Sequence, residues 1–239
     1  VALARAVTTE AAVAPALVDG VFVATVLGLA APVVLRLPPR GRVLLGGWLL
    51  ALAALALAGA FFRAGMVAPW FAGVVSLSTA AGVAFVCSRS GTALLRRTPA
   101  AWLVGMQSFR VIVELVLWAL ALQGRAPLLL TFEGRNADIL VGLTALPVAW
   151  LCFVRRAWPP WAAAAWNVAG IVILSNVVVH ALLSAPTPFR LIETTPPTTI
   201  IATLPYVWLP GFLVPLAFSL HVASLRTLGA ARAPVKETQ

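Results

Sequence analysis

Seven apolar stretches, at 13–37, 43–62, 66–87, 99–122, 138–154, 160–184 and 203–224, take up most of this sequence. Each is long enough to cross a hydrocarbon core of about 30 Å at about 1.5 Å per residue. Inside such a core no water bonds the backbone, so a crossing segment must satisfy its own peptide groups as a helix. The expected fold class is therefore all-α: a polytopic membrane bundle of seven transmembrane helices, forming a single domain over residues 1–239. Charge is sparse enough to agree. Only 10% of residues are Asp, Glu, Lys or Arg and 62% are hydrophobic, whereas a soluble domain carries about 25% charged residues. The fifth stretch is the shortest, which implies little tilt or a locally thinned bilayer. The tract AAVAPALVDGVFVATVLGLAAPVV is long enough to span rather than serve as a removed leader.

The net charge of +10 raises the question of nucleic acid, because basic patches attract phosphates. Its distribution argues against that partner. The basic residues stand in ones, twos and threes at span ends, and they alternate. Arg36, Arg40 and Arg42, then Arg89, Arg96 and Arg97, then Arg155 and Arg156, then Arg226, Arg232 and Lys236 fall on one side. Only Arg5, Arg63, Arg125, Arg135 and Arg190 fall on the other. Eleven against five puts the N-terminus outside and the C-terminus in the cytoplasm. Glu10, Glu133, Asp138 and Glu193 then lie outside and Glu237 inside. An Arg-, Ala-, Gly- and Pro-rich composition fits a GC-rich bacterial genome, so the expected location of the spans is a bacterial cytoplasmic membrane, with the lipid bilayer as the first partner.

Cys87 and Cys152 sit near cytoplasmic span ends, where no disulfide is expected. The nine tryptophans mostly lie near span ends, as an interfacial belt would. Pro205, Pro210 and Pro215 punctuate the last stretch, and the carbonyls they free need partners or a cavity. The Pro- and Thr-rich connection from Ser184 is long enough to fold over the outer mouth as a lid.

Ionisable groups inside hydrocarbon are costly and point to function. Gln107, Arg110 and Glu114 are spaced three and four apart, on one face of the fourth helix. They form either a self-neutralising Arg110–Glu114 pair or the floor of a cavity with Glu114 as proton or cation acceptor. Asp19 in the first helix, and Asn176 and His180 in the sixth, fall at a similar outer depth. Arg110, Glu114, Asp19, Asn176 and His180 together are the candidate ligand-binding or proton-relay residues of an outward-facing pocket. Above them the turn Thr131–Asp138 supplies a candidate outer rim of Glu133, Arg135, Asn136 and Asp138. Arg190 of the Pro-rich loop joins that rim, with Glu133 and Arg135 in reach of Arg190 or Glu193. Asn136 or Asp138 is placed to cap the fifth helix.

Metal and cofactor readings are weaker. An Asp19–Glu114–His180 metal site is conceivable, but no metal motif is present. His180 and His221 are expected at opposite faces, so they make no haem pair. Retinal requires an embedded lysine for its Schiff base, and the only lysine is Lys236. No nucleophile-elbow, zinc-protease or phosphate-loop pattern occurs, so no catalytic residue is assigned.

The segments FRVIVE (109–114), TFEGRNADIL (131–140), SAPTPF (184–189) and WLPGFLVP (208–215) resemble a family of uncharacterised bacterial seven-span membrane proteins. The resemblance covers roughly residues 100–225 and implies where to look rather than an activity. It also implies an aromatic residue where this chain has Ala137. Three functions stay open. The first is a non-enzymatic protein whose outer pocket binds or passes a small molecule or ion. The second is an accessory subunit among other membrane subunits of an energy-transducing or photosynthetic complex. The third is an intramembrane enzyme using Glu114 or His180.

Overall fold

The computed structural model describes residues 14–230; Arg5, Glu10, Arg232, Lys236 and Glu237, which entered the charge argument, lie outside the described residues. The chain is mostly helical: α1 Pro15–Arg36, α2 Pro39–Leu57, α3 Trp70–Cys87, the short α4 Arg89–Leu95, α5 Ala100–Leu122, α6 Asp138–Val154, α7 Pro160–Ser184 and α8 Leu209–Ala230. Six of these (α1, α2, α3, α5, α7 and α8) are long and apolar enough to cross a membrane, and α6 is a shorter apolar helix. That gives the molecule a general membrane-protein character.

Two boundaries differ from the sequence reading. The second and third apolar stretches, expected at 43–62 and 66–87, are helical only to Leu57 and from Trp70. A two-stranded hairpin, β1 Phe62–Arg63 with β2 Met66–Val67, stands between α2 and α3. The last helix runs over 209–230 rather than 203–224, so Arg226 lies within it and bonds the Val86 carbonyl and Thr92 Oγ1 at 3.1 Å. Residues 200–208 are not a lid. Ile201, Ala202 and Val207 are buried with Leu52, Phe61, Val67 and Phe71, as part of the core.

Helix α8 is the hub, packing against α2, α3, α5 and α7. Its start explains the proline expectation. Pro215 has no N–H, so the Gly211 carbonyl four residues earlier loses its helical donor. The indole of Trp48 fills that role, donating to Gly211 O at 3.0 Å, and Trp208 reciprocates to Leu49 O at 3.0 Å. Two tryptophans expected in an interfacial belt thus bond α2 to α8, and Trp166 bonds α7 to α6 through Thr144 at 2.9 Å. Trp70, Trp150, Trp158 and Trp161 are exposed near helix ends.

Candidate functional site

Helix α5 carries the strongest apolar asymmetry in sequence terms, and its buried face holds Gln107, Arg110 and Glu114, each at most 2% exposed. Three elements converge on that face. The first is the connection from α5 to α6. Helix α5 ends at Leu122, yet its exit loop folds back until Asn136 reaches Glu114 and Asp138 reaches Arg110. Those two positions lie eight and twelve residues before the helix end, about 12 and 18 Å back along its axis at 1.5 Å per residue. Helix α6 therefore begins inside the bundle, and this is why its apolar stretch is short.

A backbone returning into an apolar interior needs its own hydrogen bonds. Here Thr131 N donates to Leu128 O, Asn136 N to Thr131 O and Arg135 N to Leu129 O. Asn176 of α7 closes the turn by donating to Arg135 O at 2.9 Å. Gly134 is required for the tightness: a Cβ there would strike the Leu128 carbonyl and lie 2.7 Å from Leu129 Cα.

Asn136 then works in three directions. Its Nδ2 donates to Glu114 Oε1 at 2.5 Å and to Leu130 O at 3.0 Å, while its Oδ1 accepts the Asp138 N–H at 2.9 Å. The N-cap position is held by Ala137, without a side-chain cap, rather than by Asn136 or Asp138 as expected; Asn136, one residue earlier, takes up the Asp138 N–H instead. Arg110 Nε lies 3.0 Å from Asp138 Oδ2. The self-neutralising Arg110–Glu114 pair is thus replaced by an Arg110–Asp138 pair and a separate Glu114–Asn136 bond.

The other two elements are α7 and α8. Arg110 Nη1 lies 3.2 Å from His221 Nε2, and His221 Nδ1 lies 2.9 Å from Asn167 Oδ1. A guanidinium only donates, so Nε2 accepts and the proton sits on Nδ1, facing the amide oxygen. The Asn167 amide donates to Ala163 O at 2.7 Å and Ser224 Oγ at 2.9 Å, which fixes its orientation. Gly170 makes room for the ring, since a Cβ there would overlap the His221 imidazole. Gln107 Nε2 donates to Ala217 O at 3.0 Å, adding a second α5–α8 bond.

The buried chain thus runs Glu114–Asn136 and Asp138–Arg110–His221–Asn167–Ser224. Several of its atoms have no hydrogen-bond partner: Glu114 Oε2, Asp138 Oδ1 and Arg110 Nη2. Glu114, Asn136 and Asp138 also line one cavity of about 70 Å³, otherwise walled by apolar side chains such as Val113, Leu174 and Val214. That volume admits an ion or a few waters and no organic ligand of several hundred Å³.

The remaining sequence candidates do not join this site. Asp19 accepts from Arg125 Nη1 at 2.9 Å and Tyr206 Oη at 2.5 Å in a half-exposed cluster. Neither Asp19 nor His180 lines the cavity. His180 Nδ1 bonds back to Asn176 O at 2.8 Å on its own helix, and Asn176 serves the turn. Among the described residues no three His, Cys, Asp or Glu side chains stand close enough to hold a metal ion, which removes the Asp19–Glu114–His180 metal site. Of the rim residues, only Glu133 and Arg135 are exposed at the turn, while Asn136 and Asp138 belong to the interior. Arg190 Nε donates to Ile192 O at 3.1 Å. The ion pairs found among the described residues are Arg110–Asp138 and Arg125–Asp19, so the expected bridges from Glu133 and Arg135 to the Pro-rich loop are not formed.

Sequence reading missed Asn167, His221 and Ser224, and set His221 at a membrane face; it is fully buried. The signal was present as periodicity. Ala217, Leu220, His221, Ser224 and Leu228 share one stripe of α8, and Ala163, Asn167, Gly170 and Leu174 share one of α7.

A family model described as a domain of unknown function (DUF8737) matches residues 68–229, a range that contains every member of the buried chain. No curated protein and no solved structure matches the chain.

Proposed function

This chain belongs to the DUF8737 family, a domain of unknown function, and we propose that it is a non-enzymatic membrane protein that binds a small cation, the proton first, at Glu114 and Asp138. The observation that carries the reading is the charge balance of the buried cluster. Two carboxylates, Glu114 and Asp138, share one guanidinium, and His221 is neutral because its Nε2 accepts from Arg110. One negative charge is left over in a low-dielectric interior, where an unpaired ion costs several kcal/mol. A proton or a monovalent cation at the cavity removes it, and the free oxygens of both carboxylates are the atoms that would receive it. Arg110 stays charged at all accessible pH, so it stands as an electrostatic stop between the carboxylates and the His221–Asn167–Ser224 chain. That favours binding over passage.

In this reading the chain has seven spans, with the N-terminus outside, the C-terminus cytoplasmic, and a bacterial cytoplasmic membrane as its location. The alternation of arginines supports the orientation, and the cavity then opens from the outer half.

The test is an infrared difference spectrum of the protein in lipid across a pH step, with sodium-dependent thermal stability as the companion arm. Wild type is expected to show a protonated-carboxyl band, or a sodium-dependent rise in Tm, that Glu114→Gln removes. If Glu114→Gln leaves both the band pattern and the sodium response unchanged, the reading fails.

A further inference from the structure

A second cavity, much larger than the one at Glu114 and Asp138, lies away from the charged chain. It holds about 560 Å³ and is walled by Leu45, Leu77, Phe85, Leu95, Phe212 and Leu220, with Arg36 at one end. Its lining runs from Gly41 to Trp48 along α2, with Leu37 just ahead of that helix, and from Ala223 back to Gly211 along α8. The twelve-residue rise along α8, at about 1.5 Å each, is a length of about 18 Å, roughly half of a hydrocarbon core of about 30 Å. The cavity is thus apolar, one leaflet deep, and bordered at its arginine end by the loops joining α1 to α2 and α4 to α5.

Those loops are strongly basic. Arg36, Arg40, Arg42, Arg96 and Arg97 are all exposed, and neither 36–42 nor 88–99 contains an acid. None of the five takes part in an ion pair found among the described residues. The Arg36 guanidinium lies 4.4 Å over the Trp102 ring, a lining residue, while its Nη1 uses one donor on Pro32 O at 3.1 Å. The indole therefore fixes a cation at the mouth of the cavity. A long apolar slot capped by a fixed guanidinium is complementary to an amphiphile with a hydrocarbon tail and a negative head.

We infer that this cavity takes one acyl chain of an anionic phospholipid from the surrounding leaflet, with its phosphate at Arg36. The site is separate from the Glu114–Asp138 cluster and does not depend on its role.

The experiment is native mass spectrometry of the full chain released from neutral detergent, titrated with lysophosphatidylglycerol and lysophosphatidylcholine of equal chain length. Wild type is expected to bind the glycerol headgroup about fivefold more tightly for each arginine it engages. Arg36→Gln should lower that preference about fivefold while chain binding persists. Ala81→Trp, at an exposed lining position where the larger ring fills the slot without entering the core, should abolish binding of both; Leu45→Trp is the second filling variant if it does not fold. Equal affinity for the two headgroups, or undiminished binding by the filling variant, overturns the inference. So does purification with a neutral prenyl lipid in the slot.

Discussion

Arg110 is the residue on which the buried chain depends, because it alone balances two carboxylates and holds His221. Arg110→Gln leaves Glu114 and Asp138 facing each other without a cation, and should destabilise the protein by about 3–5 kcal/mol. Glu114→Gln behaves differently. It removes the surplus negative charge, keeps an oxygen for the Asn136 amide, and should change stability by less than about 1 kcal/mol. Asp138→Asn breaks the 3.0 Å ion pair but still leaves one carboxylate for one guanidinium, so it costs less than losing Arg110. The double variant Glu114→Gln/Asp138→Asn strands Arg110, and its effect should exceed the sum of the singles by about 1–3 kcal/mol. Unfolding of wild type, the two single carboxyl variants and the double variant in bicelles measures this cycle, and additivity would show that the two carboxyls do not share the arginine. Gly170→Ala is a separate check: the methyl group displaces the His221 ring and should cost about 1–3 kcal/mol by overpacking. Of this cluster, Gln107, Arg110 and Glu114 were legible in the sequence because charge in hydrocarbon is conspicuous. Asn167 and Ser224 were not, because small polar residues are common in membrane helices and only packing says which face they occupy. Asp19 and His180 were grouped with Glu114 by depth, and depth carries no information about which helices are neighbours.

At the scale of elements, the connection between α5 and α6 decides where the site lies. TFEGRNAD reads as an exposed charged turn, and its glycine and asparagine do form one. Nothing in a loop's composition says that it turns inward, however, and the charged residues divide: Glu133 and Arg135 stay outside while Asn136 and Asp138 go in. The short fifth stretch was the available clue. A segment too short to tilt is also what results when a loop has already descended part of the way. Asn136 latches the descent, so Asn136→Ala orphans Glu114 Oε1, the Leu130 carbonyl and the Asp138 N–H together. At about 1–3 kcal/mol for each of these three buried groups left unmade, the loss should be at least about 3 kcal/mol. Hydrogen exchange over residues 128–138 should rise in that variant while α7 and α8 keep their protection. Uniform loss of protection would instead mean that the latch is inseparable from the global fold.

For the whole molecule, the open question is whether α6, which starts inside the bundle, still crosses to the far side. Helix α6 extends from Asp138 to Val154, about 25 Å at 1.5 Å per residue. It begins some 18 Å below the end of α5, measured from Arg110 to Leu122. Starting that deep, it needs only the remaining distance to emerge, and Arg155 and Arg156 follow at once with Arg155 stacked 4.9 Å over Trp150. A helix that ended in hydrocarbon would strand both guanidinium groups there. An arginine snorkelling over an exposed tryptophan is instead what an interface favours. The expected outcome is therefore an accessibility pattern that alternates across α5 and again across α6. Cysteines at Arg97, Glu133 and Arg155, introduced one at a time with Cys87 and Cys152 replaced by serine, report it through a membrane-impermeant maleimide. Glu133→Cys should react in intact cells, and Arg97→Cys and Arg155→Cys only after permeabilisation. Labelling of Arg155→Cys together with Glu133→Cys would mean that α6 turns back and that the chain crosses six times. The fully inverted pattern would keep seven crossings and reverse the orientation, and the carboxylate cavity would then face the cytoplasm.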